Sequence, residues 1–134
     1  MTNVQMTTPY SSARRAYAES TILTASPERL VVMLYDGAIR SLRQSADAMR
    51  KGDRERSRNR MRSGEAIIDE LNRALDMGQG QIPSQLRAIY LFCKRLLIQA
   101  NLETDASTID TVVRLLSDLR EAWAQIEGSS VQSA

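Results

Sequence analysis

The sequence predicts an all-α protein: an antiparallel up-down four-helix bundle preceded by a short mobile N-terminal helix. Three observations carry this expectation. Apolar residues recur at three- and four-residue spacing in four long stretches, with no strand-like alternation and no internal repeat. Each stretch is bracketed by capping residues, proline or glycine. The links between stretches are short, and short links fold consecutive long helices back on one another.

Residues 1 to about 12 are rich in Thr, Ser, Asn and Gln and contain Pro9, a composition that buries little apolar surface. Within Ala13 to Ile22, Tyr17 and Ile22 can anchor a short, weakly held helix. Residues 1–25 are therefore read as a flexible segment, 26–127 as the bundle domain and 128–134 as a disordered tail. Ser26-Pro27 opens the first helix, because the hydroxyl caps free N–H groups and proline suits the first helical position. That helix should run from Pro27 to Lys51 with a stripe of Val31, Leu34, Tyr35, Ala38, Leu42 and Met49, stopped by Gly52. Asp53 caps the second, which carries Met61, Ile67, Ile68, Leu71 and Leu75 to about Met77 before Gly78 and Gly80. Pro83 and Ser84 reopen the chain as the third, with Leu86, Ile89, Tyr90, Cys93, Leu96, Leu97 and Ala100 inward, and Asp105 and Ser107 close and recap. The fourth carries Ile109, Val112, Val113, Leu116, Leu119, Trp123 and Ile126 before Gly128.

A chain of 134 residues with 25% charged and 43% hydrophobic residues has the size and balance of one globular domain. The net charge of +2 is too small to demand a polyanionic partner. Cys93 is the one cysteine, so no internal disulfide forms, and a reducing cytoplasmic location is expected. The N-terminal MTNVQMTTPYSSARR lacks an apolar core, and no run approaches the roughly 20 apolar residues of a membrane span. Neither Sec-type export nor membrane association is expected.

Catalysis is not expected either. Histidine is absent, which removes the usual proton-transfer residue near neutral pH and the commonest metal ligand, and closes the Glu-x-x-His route to a di-iron bundle. Glu65, Asp69 and Glu70 read as solvated helix polarity, Cys93 as a buried inert thiol, and MGQGQIP as a helix stop without phosphate-loop spacing. No cofactor or metal is expected. The run Lys51 to Arg62 places Arg54, Arg56, Arg58, Arg60 and Arg62 two residues apart, which spreads charge around a helix, and Asp53 and Glu55 dilute it. With no aromatic platform for bases, it reads as a solvated helix end, and a nucleic-acid or regulatory role for it is the alternative function.

Two helices carry more apolar residues than one inward stripe uses. The third adds Leu91, Ile98 and Leu102, and the first adds Leu30, Val32, Met33 and Ile39. Such residues either bury a more central helix on several sides or expose seams for amphipathic partners, and the pattern allows both. An N-terminal segment with Tyr10, Tyr17 and Ile22 is either a gate lying over such a seam or a permanently packed turn.

Four blocks in order carry a family resemblance: TASPERLVVMLYDGAIRSLRQSADAMRKGD from Thr24 to Asp53, AIIDELNRALD from Ala66, LRAIYLFCKRLLIQANLETD from Leu86 and VVRLLSDLREAW from Val112. Together they resemble the FliS family of flagellin-specific secretion chaperones from Tyr17 to Ile126. The resemblance implies a cytoplasmic chaperone that binds the C-terminal segment of flagellin, prevents its premature polymerisation and delivers it to the flagellar type III export gate without consuming ATP. It implies apolar grooves for that tail, for which Tyr35, Ile39, Leu42, Leu91, Ile98 and Leu102 are the candidate residues. It also implies handover at the gate through an N-terminal tyrosine matched by Tyr17 in RRAYAES, with Tyr10 and Ile22 beside it in the mobile segment. An anti-sigma factor or assembly regulator is a further candidate partner. Arg14 stands where relatives place an aliphatic residue, and Gly78-Gln79-Gly80 and Ile82-Pro83 replace the usual Gly-Gly and Ile-Ala of the middle loop.

Overall fold

The computed structural model describes residues 9–10 and 26–133. Four helices account for nearly all of them: α1 Pro27–Arg50, α2 Arg54–Arg73, α3 Ile82–Glu103 and α4 Ala106–Ser133. The short helix predicted over Ala13–Ile22 lies outside the described residues. Local chemistry sets the ends of α1 as anticipated. The Ser26 hydroxyl accepts the Arg29 N–H at 3.0 Å with Pro27 in the first turn. Gly52 turns the chain at φ 79°, where a side chain would be strained, and the Asp53 carboxylate then caps α2 by accepting the Arg56 N–H at 3.1 Å.

The helices form an antiparallel ring in which α1 has its closest backbone approaches with α2 and α4, while α3 stands further off from its neighbours α2 and α4. Small residues let α1 and α2 approach. Ser45 Oγ donates to the Ser57 carbonyl at 2.7 Å, and a Cβ placed on Gly64 would sit 2.7 Å from Leu42 Cδ2. Ion pairs mark the antiparallel register of α1 on α4: Arg50 with Asp110 at one end, and Arg120 Nε donating to Asp36 at 2.8 Å nearer the other. The Leu-Tyr-Asp-Gly-Ala centre of α1 thus has three structural jobs. Tyr35 and Ala38 fill the interior, Asp36 clamps α4, and Gly37 admits Ile67, whose Cδ1 would lie 3.2 Å from an added Cβ.

The core is built from Tyr35, Leu42, Ile68, Leu71, Tyr90, Leu97, Ile109 and Leu116, all fully buried. Each such side chain contributes roughly 1.5–3 kcal/mol of hydrophobic stabilisation relative to exposure.

Three boundaries differ from expectation. Helix α2 ends at Arg73, short of Met77, because Leu75 buries itself outside the helix and the Asp76 N–H donates to the Pro9 carbonyl at 2.6 Å. Helix α3 starts at Ile82 with no side-chain cap; Ser84 lies inside its first turn and Pro83 is buried. Helix α4 passes through Gly128 to Ser133, so the predicted stop at Gly128 does not appear. Gly128 lacks the positive φ of Gly52 and Gly80, and one glycine costs a helix interior only about 1 kcal/mol. Between α3 and α4, Thr104 takes the left-handed conformation at φ 53° and the Asp105 carboxylate accepts the Ser107 N–H at 3.0 Å.

Candidate functional site

Helix α3 buries one face and leaves an apolar shoulder on each side. Leu86, Tyr90, Cys93, Leu97 and Ala100 point inward. On the α4 side, Ala88, Ile89 and Phe92 face Leu115, Asp118 and Leu119 across a groove of about 330 Å³. Phe92 is 48% exposed although it is a large aromatic. Ile82 stands seven residues before Ile89, and Ile126 seven after Leu119, so both continue the same helix faces, and both are exposed. Asp118 is the one charged residue lining the groove. An apolar cleft between two helices takes an apolar polypeptide segment or an amphipathic helix.

The six groove candidates separate into two sets. Tyr35, Ile39 and Leu42 are core residues, with Tyr35 and Leu42 carrying no exposed surface and Ile39 only 6%. They line no open groove, which corrects the expectation for these three. The reason is that α1 has neighbours on two sides, so Val32 and Ile39 of its surplus apolar residues are buried along with its inward stripe, while Met33 stays exposed. Leu91, Ile98 and Leu102 are exposed, but on the opposite shoulder of α3 from the α3–α4 groove. Lys94, one turn from Leu91 and Ile98, marks that side by donating to Asp69 of α2 at 2.6 Å.

Sequence reasoning placed Ile89 and Leu119 in the core and passed over Phe92 and Leu115. The available signal was the repeat Ile82, Ile89, Phe92, Leu96, a second stripe on α3 displaced by one residue from the inward one.

Tyr10 is buried inside the bundle. Its hydroxyl meets Tyr90 Oη at 2.5 Å, and Tyr90 Oη also meets Tyr35 Oη at 2.5 Å, which links three tyrosines across the interior. The Tyr10 ring stands edge-on to Trp123 of α4 with centroids 5.4 Å apart. Burial pushes all three hydroxyls well above the usual tyrosine pKa, so they act as neutral hydrogen-bonding groups. Tyr17 and Ile22 lie outside the described residues.

The remaining polar groups do not assemble chemistry. Burial pushes the Cys93 thiol up to about 11, away from nucleophilic reactivity. Glu65 is raised by partial burial, with Lys94 opposing; Asp69 is paired with Lys94 and Glu70 with Arg73. Among the described residues, no three His, Cys, Asp or Glu groups converge as metal ligands, and no helix is long and apolar enough to cross a membrane. The arginines of α2 are spread as anticipated: Arg56 and Arg60 share a surface with Asp53, Glu55 and Asn59, while Arg54 and Arg58 face Asn101 and Thr104 of α3.

An all-helical bundle of one core, an interior closed by tyrosines and an open apolar groove between two helices define a small helical protein with a surface suited to an apolar partner segment. Comparison with known sequences makes this specific. The family model described as "Flagellar protein FliS" matches residues 10–130, and the chain belongs to that family. The chain is 38% identical over 122 residues to the Flagellar secretion chaperone FliS of Salmonella typhimurium, covering 87% of this chain and 90% of that one. It is 33% identical over 110 residues to the protein of the same name in Bacillus subtilis, covering 82% of each, and 32% identical over 114 residues to that of Vibrio cholerae, covering 84% of each. The family identity points to a non-enzymatic protein.

Proposed function

We propose that this protein is a cytoplasmic chaperone of flagellar secretion that binds the C-terminal segment of flagellin, holds it back from polymerising and hands it to the flagellar type III export gate. The observation that carries this reading is the α3–α4 groove, whose apolar floor is left uncovered in a chain of this family. An apolar tail in that groove exchanges water for Ile89, Phe92, Leu115 and Leu119 at roughly 25 cal/mol per Å² of buried apolar area, set against the entropy of ordering it. The relatives' shared name, Flagellar secretion chaperone, supports the reading as a chaperone of flagellar secretion.

The Tyr10 contacts favour a gating role for the N-terminal segment within this reading. Tyr10 occupies interior space between α3 and α4 and ties residues 9–10 to the α2–α3 link through the Pro9 carbonyl. Its withdrawal uncovers Tyr90 and Trp123 for the tail, and frees the segment, with Tyr17 and Ile22, for handover at the export gate.

Calorimetry with full-length flagellin and with flagellin lacking its C-terminal segment tests the proposal. Binding of the first with a strongly negative heat-capacity change, none of the second, and at least about tenfold weaker binding by Phe92→Ser are expected. Equal binding of both flagellins, or of neither, overturns it.

A further inference from the structure

The second shoulder of α3 has a different character from the α3–α4 groove. Leu91, Ile98 and Leu102 are 41%, 57% and 79% exposed, and they form an outward strip of α3 next to Lys94, whose side chain reaches Asp69 of α2. Arginines border the row. Arg54 and Arg58 of α2 stand against Asn101 and Thr104; Asn101 adjoins Leu102 and lies one turn from Ile98, and Thr104 is two residues past Leu102. Arg62 lies in the same neighbourhood as Glu65 and Lys94 further along the seam. On α3 itself, Arg87 and Arg95 are exposed one turn from Leu91. Among the described residues, none of these five arginines forms a salt bridge, and Asp69 on this face is already paired with Lys94.

We propose that this α2–α3 face docks an acidic amphipathic helix of a partner protein, its apolar side on Leu91, Ile98 and Leu102 and its flanking carboxylates on the arginines. The row runs over twelve residues, about 16 Å from first to last, which matches three turns of a partner helix. Charge selects the occupant. A second copy of this chain related by a two-fold axis sets arginines against arginines, at a like-charge cost. A wholly apolar segment desolvates five cations without pairing them. A nucleic acid covers the exposed leucines without an aromatic platform on which its bases stack. Only an apolar stripe with acid on both flanks satisfies the row and its border together.

The experiment is fluorescence anisotropy of the full-length protein with a labelled synthetic helix of about 18 residues, leucines at three- and four-residue spacing and glutamates on both flanks, at low salt. Expected are saturable binding, at least about tenfold loss in both the Ile98→Ser/Leu102→Ser and the Arg58→Glu/Arg95→Glu variants, and no change in Phe92→Ser. A peptide with lysine for each glutamate should bind at least about tenfold more weakly. The substituted residues are exposed, and unchanged circular dichroism confirms intact folding of each variant. The proposal is overturned by absent binding, by equal affinity for the lysine peptide, by loss in Phe92→Ser, or by a single-stranded oligonucleotide that binds tighter than the acidic helix and ignores Ile98→Ser/Leu102→Ser. Because flagellin-tail binding is read out through Phe92 with a different ligand, failure of either assignment leaves the other standing.

Discussion

The contact of α1 with α2 at Gly64 makes a sharp prediction, because two physical effects of Gly64→Ala oppose each other. In an exposed helix interior the change stabilises by up to about 1 kcal/mol, since alanine loses less backbone entropy on folding. Here the new Cβ would lie 2.7 Å from Leu42 Cδ2 and 2.8 Å from Leu42 Cγ. Ordinary carbon contacts need about 3.5–4.0 Å, so Leu42 or the α2 backbone must move by roughly 1 Å. Leu42 is fully buried, and Cγ sits too near the backbone to swing clear. Overpacking of this kind costs about 1–3 kcal/mol. The net expectation is a loss of about 1–2 kcal/mol, read as a fall in the urea midpoint at constant m-value. Gly128→Ala in α4 is the control, because nothing lies within 4 Å of its Cβ, and it should gain stability. In a Leu42→Ala background, Gly64→Ala should also turn stabilising, since the clash is gone. If Gly64→Ala alone raises the midpoint as Gly128→Ala does, the close-approach reasoning is refuted.

Three further outcomes are expected. Tyr10→Ala should cost about 2–4 kcal/mol and shift Trp123 emission to the red, because it strips the edge-on ring from the indole, whereas Tyr10→Phe should cost only about 1 kcal/mol and leave the emission in place. An unshifted Tyr10→Ala spectrum would place the tyrosine elsewhere. Stability should fall as pH rises above about 9–10, since the unfolded chain then releases Cys93 and tyrosine protons that the folded chain retains; each group subtracts on the order of 1 kcal/mol per pH unit. A denaturation midpoint flat from pH 8 to about 10.5 would contradict the burial of these groups. Cys93 should react with a thiol reagent at neutral pH only as fast as the protein unfolds, and an immediate stoichiometric reaction in the native state would show it accessible.

Local chemistry and helical period were legible in the amino-acid sequence. Ser26-Pro27, Gly52-Asp53 and the four apolar stripes specify the helices, their order and their antiparallel folding, because caps, turns and a period of 3.6 act within a few residues of one another. The four blocks from Thr24 to Trp123 carried the family resemblance. Which of the surplus apolar residues are covered was settled by packing. Ile39 of α1 and Ile98 of α3 look alike in pattern, yet one is core and the other exposed, because α1 lies closely against two neighbours and α3 stands off from both. Tyr10 is the clearest case. Its polar surroundings predicted a flexible segment and left open whether it packs, and its burial depends on Tyr90, Tyr35 and Trp123, partners 80, 25 and 113 residues away. A helix period records which side of an element is apolar; what comes to rest against that side is a property of the other elements, and it exists only once they have packed.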